Sequence, residues 1–97
     1  MAKIQQIASS GEIATDGAFY CPGCEGVHVI RLAGPKAWQW NGKLDKPTFS
    51  PSYLVGKGTD RVCHSFITDG KIQFLGDCHH ALKGQTVELP EWPGWPE

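Results

Sequence analysis

Four cysteines and four histidines carry most of the chemistry open to this 97-residue sequence. Cys21 and Cys24 stand in YCPGCEG, a Cys-x2-Cys pair whose tight turn can hold two thiolates about 2.3 Å from one metal ion while the intervening amides point at the sulfurs. Cys63 and Cys78 complete the cysteine count, and His28, His64, His79 and His80 all lie close to a cysteine in sequence. Four cysteines in a reducing compartment read as metal ligands, because cellular thiols reduce ordinary disulfides. The chemistry expected is therefore one structural zinc ion held by Cys21, Cys24, Cys63 and Cys78, with His80, His64 and His28 as alternates.

The elements that must position these residues are short strands. Twelve glycines and seven prolines punctuate the chain along its whole length and leave little room for a helix. Ile4 and Ile7 allow one helical turn or an edge strand. Residues 18–21 and 27–32 read as two strands joined by a bend at Cys24-Glu25-Gly26, with the cysteine pair at the hairpin tip. Trp38 and Trp40 share one strand face ahead of the Asn41-Gly42 turn and serve as core. Pro47 and Pro51 each remove a ladder donor, so the segment around them is an edge strand or an extended loop.

The strongest local signal is Asp69-Gly70 between two alternating runs, which predicts a two-residue hairpin turn with Ser65 opposite Phe74 and Ile67 opposite Ile72. Continuing that register sets Cys63 opposite Gly76 and brings Cys78 onto the face of Cys63, about 7–8 Å away along a diagonal. His64 falls on the other face. GQTVELP supplies a last strand with Val87 and Leu89 on one side. The fold class that follows is mostly β: a small single domain of short antiparallel hairpins, zinc-ribbon-like, spanning 1–90. A Trp- and Pro-rich tail at 91–97 offers Trp92 and Trp95 to a protein partner or folds back as a lid.

Other chemistries fit less well. An open site with Cys21, Cys24 and Cys63 on zinc, water in the fourth position and Asp77, His64 or His80 as base would make a hydrolase. Four cysteines favour a closed site instead, so catalysis is the second reading. The zinc deaminase pattern fails, since no histidine precedes Cys21. Thr48, Ser50 and Ser52 in PTFSPS lack a Gly-x-Ser-x-Gly turn and read as turn residues. A net charge of −1 provides no field for nucleic acid, and no segment has the apolar length of a membrane span or a signal peptide, which points to the cytoplasm.

The segments CPGCEGVH, WQWNG, KPTFSPS, VCHSFITDGKIQFLGDCHHAL and GQTVELP together resemble a family of small proteins encoded by bacteriophages and prophages, sometimes labelled ammonia monooxygenase. That label conflicts with a chain without a membrane span. The resemblance falls on Cys21, Cys24, His28, Cys63, His64, Cys78 and His80, and leaves His79 as a bystander. It implies a phage-encoded accessory protein in the cytoplasm of an infected or lysogenic bacterium, acting as a binding module for an unidentified protein. The alternatives are the zinc hydrolase and a minor virion or assembly component.

Overall fold

A computed structural model describes residues 2–7 and 16–94. Nine short strands make up its regular structure: β1 (Gln5–Ile7), β2 (Asp16–Cys21), β3 (Gly26–Arg31), β4 (Gln39–Trp40), β5 (Phe49–Ser50), β6 (Tyr53–Val55), β7 (Cys63–Thr68), β8 (Lys71–Phe74) and β9 (Thr86–Glu88). All pairings are antiparallel, in sheets ordered β1-β2-β3, β4-β5 and β6-β7-β8-β9. The described residues contain no helix, so none could cross a membrane as one. The all-β, hairpin-built class expected from the glycine and proline punctuation is what forms, and the stretch that begins at Ile4 resolves to the strand Gln5–Ile7.

β2 is the central strand of its sheet and is buried over most of its length, with Ala18, Phe19 and Cys21 fully inside. β7 alternates instead. Cys63, Ser65 and Ile67 face the core, while His64, Phe66 and Thr68 face outward. β8 answers with Ile72 and Phe74 inward, in the register read from the sequence: Ser65 opposite Phe74, Ile67 opposite Ile72. The turn that sets this register has both Asp69 (φ 52°) and Gly70 (φ 79°) in the left-handed region, the conformation that an Asp-Gly pair adopts most cheaply. Gly70 is required twice, since an added Cβ would also lie 3.2 Å from the Lys46 backbone.

The core joins the three sheets through Phe19, Ile30, Phe49, Tyr53, Ile67, Ile72, Phe74 and Leu89, with Trp38 and Trp40 packed against it as expected. Phe19 meets Tyr53 edge to face at 5.6 Å, which fixes the first sheet against the third. The hairpin departs from expectation at one end. β8 stops at Phe74, and Gly76 does not stand in the ladder opposite Cys63. Leu75 N–H donates to the His64 carbonyl at 2.9 Å, the chain turns through a Cys78 N–H to Leu75 carbonyl bond, and His79 N–H then returns to the Val62 carbonyl at 2.9 Å. The loop at 75–79 is thus folded back over the start of β7, and this brings Asp77 and Cys78 to His64.

Candidate active site and metal centre

Two clusters meet at the start of β7, where Cys63 faces inward and His64 outward. On the inner face, the ligand atoms of Cys21, Cys24, His28 and Cys63 all lie within 4.8 Å of one another. Cys21 ends β2, and the 22–25 turn closes with Glu25 N–H donating to the Cys21 carbonyl at 2.9 Å, Glu25 itself at φ 57°. Within the turn, Cys24 N–H donates to Cys21 Sγ at 3.3 Å, the amide-to-sulfur contact that supports a metal thiolate. His28 enters from β3 through its pairing with Phe19, and Cys63 enters from the start of β7. All four cysteines are free thiols.

Three observations fit a cation here. His28 Nε2 is buried without a hydrogen-bond partner, an orphan that ligation would satisfy. A tetrahedral ion with bonds of about 2.0–2.3 Å needs ligand atoms roughly 3.3–3.8 Å apart, within the 4.8 Å that bounds this cluster. The thiols also cannot all ionise unaided. Hydrogen bonding from Cys63 holds Cys21 down at about 4. Burial and the Cys21 charge push Cys24 up to about 11, and Cys63 is driven far upward by its bond to Cys21 and by burial. A cation beside them would favour the ionised form of each thiol.

Cys78 and His80 stand beside this group and not within it, forming a second set with Cys63. His80 Nδ1 accepts the Leu82 N–H at 3.3 Å, so Nε2 carries the proton and donates to Cys63 Sγ at 3.4 Å. Its ring stands edge-on to Phe74, with ring centroids 4.4 Å apart, and overlies Gly23, where any Cβ would collide with the imidazole. Burial lowers the His80 basicity, which keeps it a neutral donor. His79, expected as a bystander, is exposed, with Nε2 3.5 Å from Cys24 Sγ.

The outer face holds the second cluster. His64 Nε2 lies 2.8 Å from Ser52 Oγ, and His64 Nδ1 lies 3.2 Å from Asp77 Oδ2. The carboxylate accepts the hydrogen bond from Nδ1–H, which leaves Nε2 free to accept the Ser52 hydroxyl hydrogen. The sheet register explains the meeting. Leu54 of β6 pairs with His64 of β7, and Ser52, two residues before Leu54, projects from the same outward face. Ser52 is held from behind by the Trp38 indole, whose Nε1–H donates to its main-chain carbonyl at 3.2 Å. The site is open: the His64 side chain is 25% exposed and that of Asp77 55%.

His64 and Asp77 were expected beside a metal, and the structure brings them together on the face away from it. Ser52 is the residue that sequence reasoning missed. It has no local nucleophile motif, and the usable signal was spatial: His64 pointing away from Cys63 needed a partner on the outer face. Trp92 is half-buried, its N–H donating to the Ala2 carbonyl at 2.9 Å, and Trp95 lies outside the described residues.

Residues 3–75 match the model of a family described as bacterial ubiquitination-like system serine protease (BubE). No curated protein and no solved structure matches the chain. The family match overturns the expected phage-encoded accessory binding module, together with its alternatives of a zinc hydrolase and a virion component. It names a serine enzyme of a bacterial system, and the matched span contains both Ser52 and His64.

Proposed function

Because the chain belongs to the family of bacterial ubiquitination-like system serine proteases (BubE), we propose that it is a serine protease that uses Ser52, His64 and Asp77 to cleave a protein component of such a system. The observation that carries this reading is the hydrogen-bonded series Ser52 Oγ, His64 Nε2 and Nδ1, Asp77 Oδ2, at 2.8 and 3.2 Å. Its chain order, serine then histidine then aspartate, does not matter, because such triads are recognised by geometry and role.

Each residue has a defined task. His64 Nε2 takes the hydroxyl proton as Ser52 Oγ bonds to the substrate carbonyl carbon. The proton then passes to the leaving amine as the C–N bond breaks, giving an ester on Ser52. Water attacks that ester, again with His64 as base, and releases the carboxylic acid and the free serine. Asp77 keeps the imidazole in the tautomer that leaves Nε2 open and stabilises the imidazolium formed at each step.

The metal is a separate matter. Cys21, Cys24, Cys63 and His28 form a Cys3His donor set of the kind that holds structural zinc, and a closed set leaves no position for a metal-bound nucleophile. Zinc there would cross-link β2 and β3 to β7 and thereby fix the strand that carries His64. Four reduced cysteines also suit the bacterial cytoplasm.

The test is turnover of an activated ester such as p-nitrophenyl acetate. Ser52→Ala and His64→Ala should each lose at least about a thousandfold in kcat while keeping the parent circular dichroism and melting curve. Ester hydrolysis at the parent rate by Ser52→Ala would overturn the assignment.

A further inference from the structure

The main chain of His64 poses a problem that the strand ladder does not solve. On the β8 side, the ladder ends at the Ser65 to Phe74 pair, so the His64 N–H and C=O lie just past the last paired residue. Both groups are nevertheless satisfied by one atom. His64 N–H donates to Cys78 Sγ at 3.2 Å, and the Cys78 thiol donates back to the His64 carbonyl at 3.1 Å. The same carbonyl also accepts Leu75 N–H at 2.9 Å, using its second lone pair.

We propose that Cys78 is a positioning residue for His64, gripping the histidine's main chain while the adjacent Asp77 grips its ring. The proposal rests on the Ser52, His64 and Asp77 reading of the active site. Cys78 is 5% exposed and anchored by its own N–H to the Leu75 carbonyl, so the grip is made from a buried, fixed point. Asp77 is mostly exposed and could not orient the imidazole alone if the start of β7 were free to twist. With both contacts made, the histidine is held at its main chain and at its ring, and Nε2 is kept at hydrogen-bond distance from Ser52. A shift of about 1 Å at such a contact costs on the order of a hundredfold in rate.

A thiol suits the task because one atom both accepts and donates. A serine hydroxyl can do the same, whereas alanine leaves a buried N–H unpaired. This separates positioning from metal ligation, in which serine is a poor substitute.

The experiment compares Cys78→Ala and Cys78→Ser in the zinc-loaded full chain, reading kcat and KM for p-nitrophenyl acetate and zinc per chain by elemental mass spectrometry. Cys78→Ala is expected to lose about 10- to 100-fold in kcat with KM and zinc content unchanged. Cys78→Ser is expected to stay within about threefold of the parent. If Cys78→Ala does not fold, the serine variant alone decides, by keeping or losing activity and zinc. Parent kcat in the alanine variant overturns the grip, and so does loss of zinc from the serine variant, which would make Cys78 a ligand. Full activity in Ser52→Ala would sink the triad reading instead, so the two failures are distinguishable.

Discussion

Asp77→Asn tests how much an exposed triad carboxylate contributes. Where such an aspartate is sealed from water, its replacement by asparagine costs about ten-thousandfold in kcat, mainly through the wrong histidine tautomer. Here the Asp77 side chain is 55% exposed, and its contact with His64 Nδ1 is 3.2 Å, long for a charge-assisted bond. Water can reach the same Nδ1–H and support the same tautomer. A hydrogen bond to a charged group contributes about 1.5–3 kcal/mol, and solvent screening favours the lower half of that range. At about 1.4 kcal/mol per decade, the expected loss in kcat is about 10- to 50-fold, with KM unchanged. The assay is ester turnover at saturating substrate and neutral pH. A loss of ten-thousandfold would show the exposure argument to be wrong, and no loss at all would remove Asp77 from the catalytic group.

Three further outcomes follow from the geometry. A structural zinc is worth about 10–16 kcal/mol apparent against a whole-domain stability of about 5–15 kcal/mol, so excess chelator should unfold the chain and abolish ester turnover; a native melting curve in chelator would contradict the structural role. Gly23→Ala should drive the His80 ring off its seat between Gly23 and Phe74 and destabilise the fold by about 1–3 kcal/mol, read as a lowered melting temperature; an unchanged melt would show that the ring can give way freely. Lys3 hydrogen-bonds to Glu88 and holds that carboxyl below the ordinary glutamate range. A depressed folded value means stability that is present above the unfolded value and is lost as pH falls through the folded one. The melting-temperature gap between the parent and Lys3→Ala should therefore narrow on acidification, keeping a remainder from the Lys3 bond to the Gly70 carbonyl; a gap independent of pH would refute the linkage.

The sequence made local structure legible wherever a turn fixed the register. Asp69-Gly70 demands two left-handed residues, and from that alone the pairs of β7 and β8 and the outward direction of His64 follow. The same alternation fails five residues beyond the turn: extended through Gly76, it misses that the chain leaves the ladder at Leu75, which bonds back onto His64, before His79 bonds onto Val62. Gly76-Asp77 permits a bulge or turn there, but where the chain returns to is set by tertiary hydrogen bonds. The cysteines were visible as a metal cluster by type and spacing, while the buried and unpartnered His28 Nε2 is a fact of packing that no spacing reveals. Ser52 was hidden for a related reason. Its partners are 12 and 25 residues away in the chain and meet it only because β6 pairs with β7 and the loop at 75–79 folds over.

The proposed protease requires Ser52 to be an activated nucleophile. Its most direct test is treatment of the folded protein with a fluorophosphonate probe, followed by peptide mass spectrometry. A single phosphonylated residue, Ser52, is expected, with labelling abolished in His64→Ala. Labelling at another serine, or none at Ser52 in a protein that hydrolyses the ester, would contradict it.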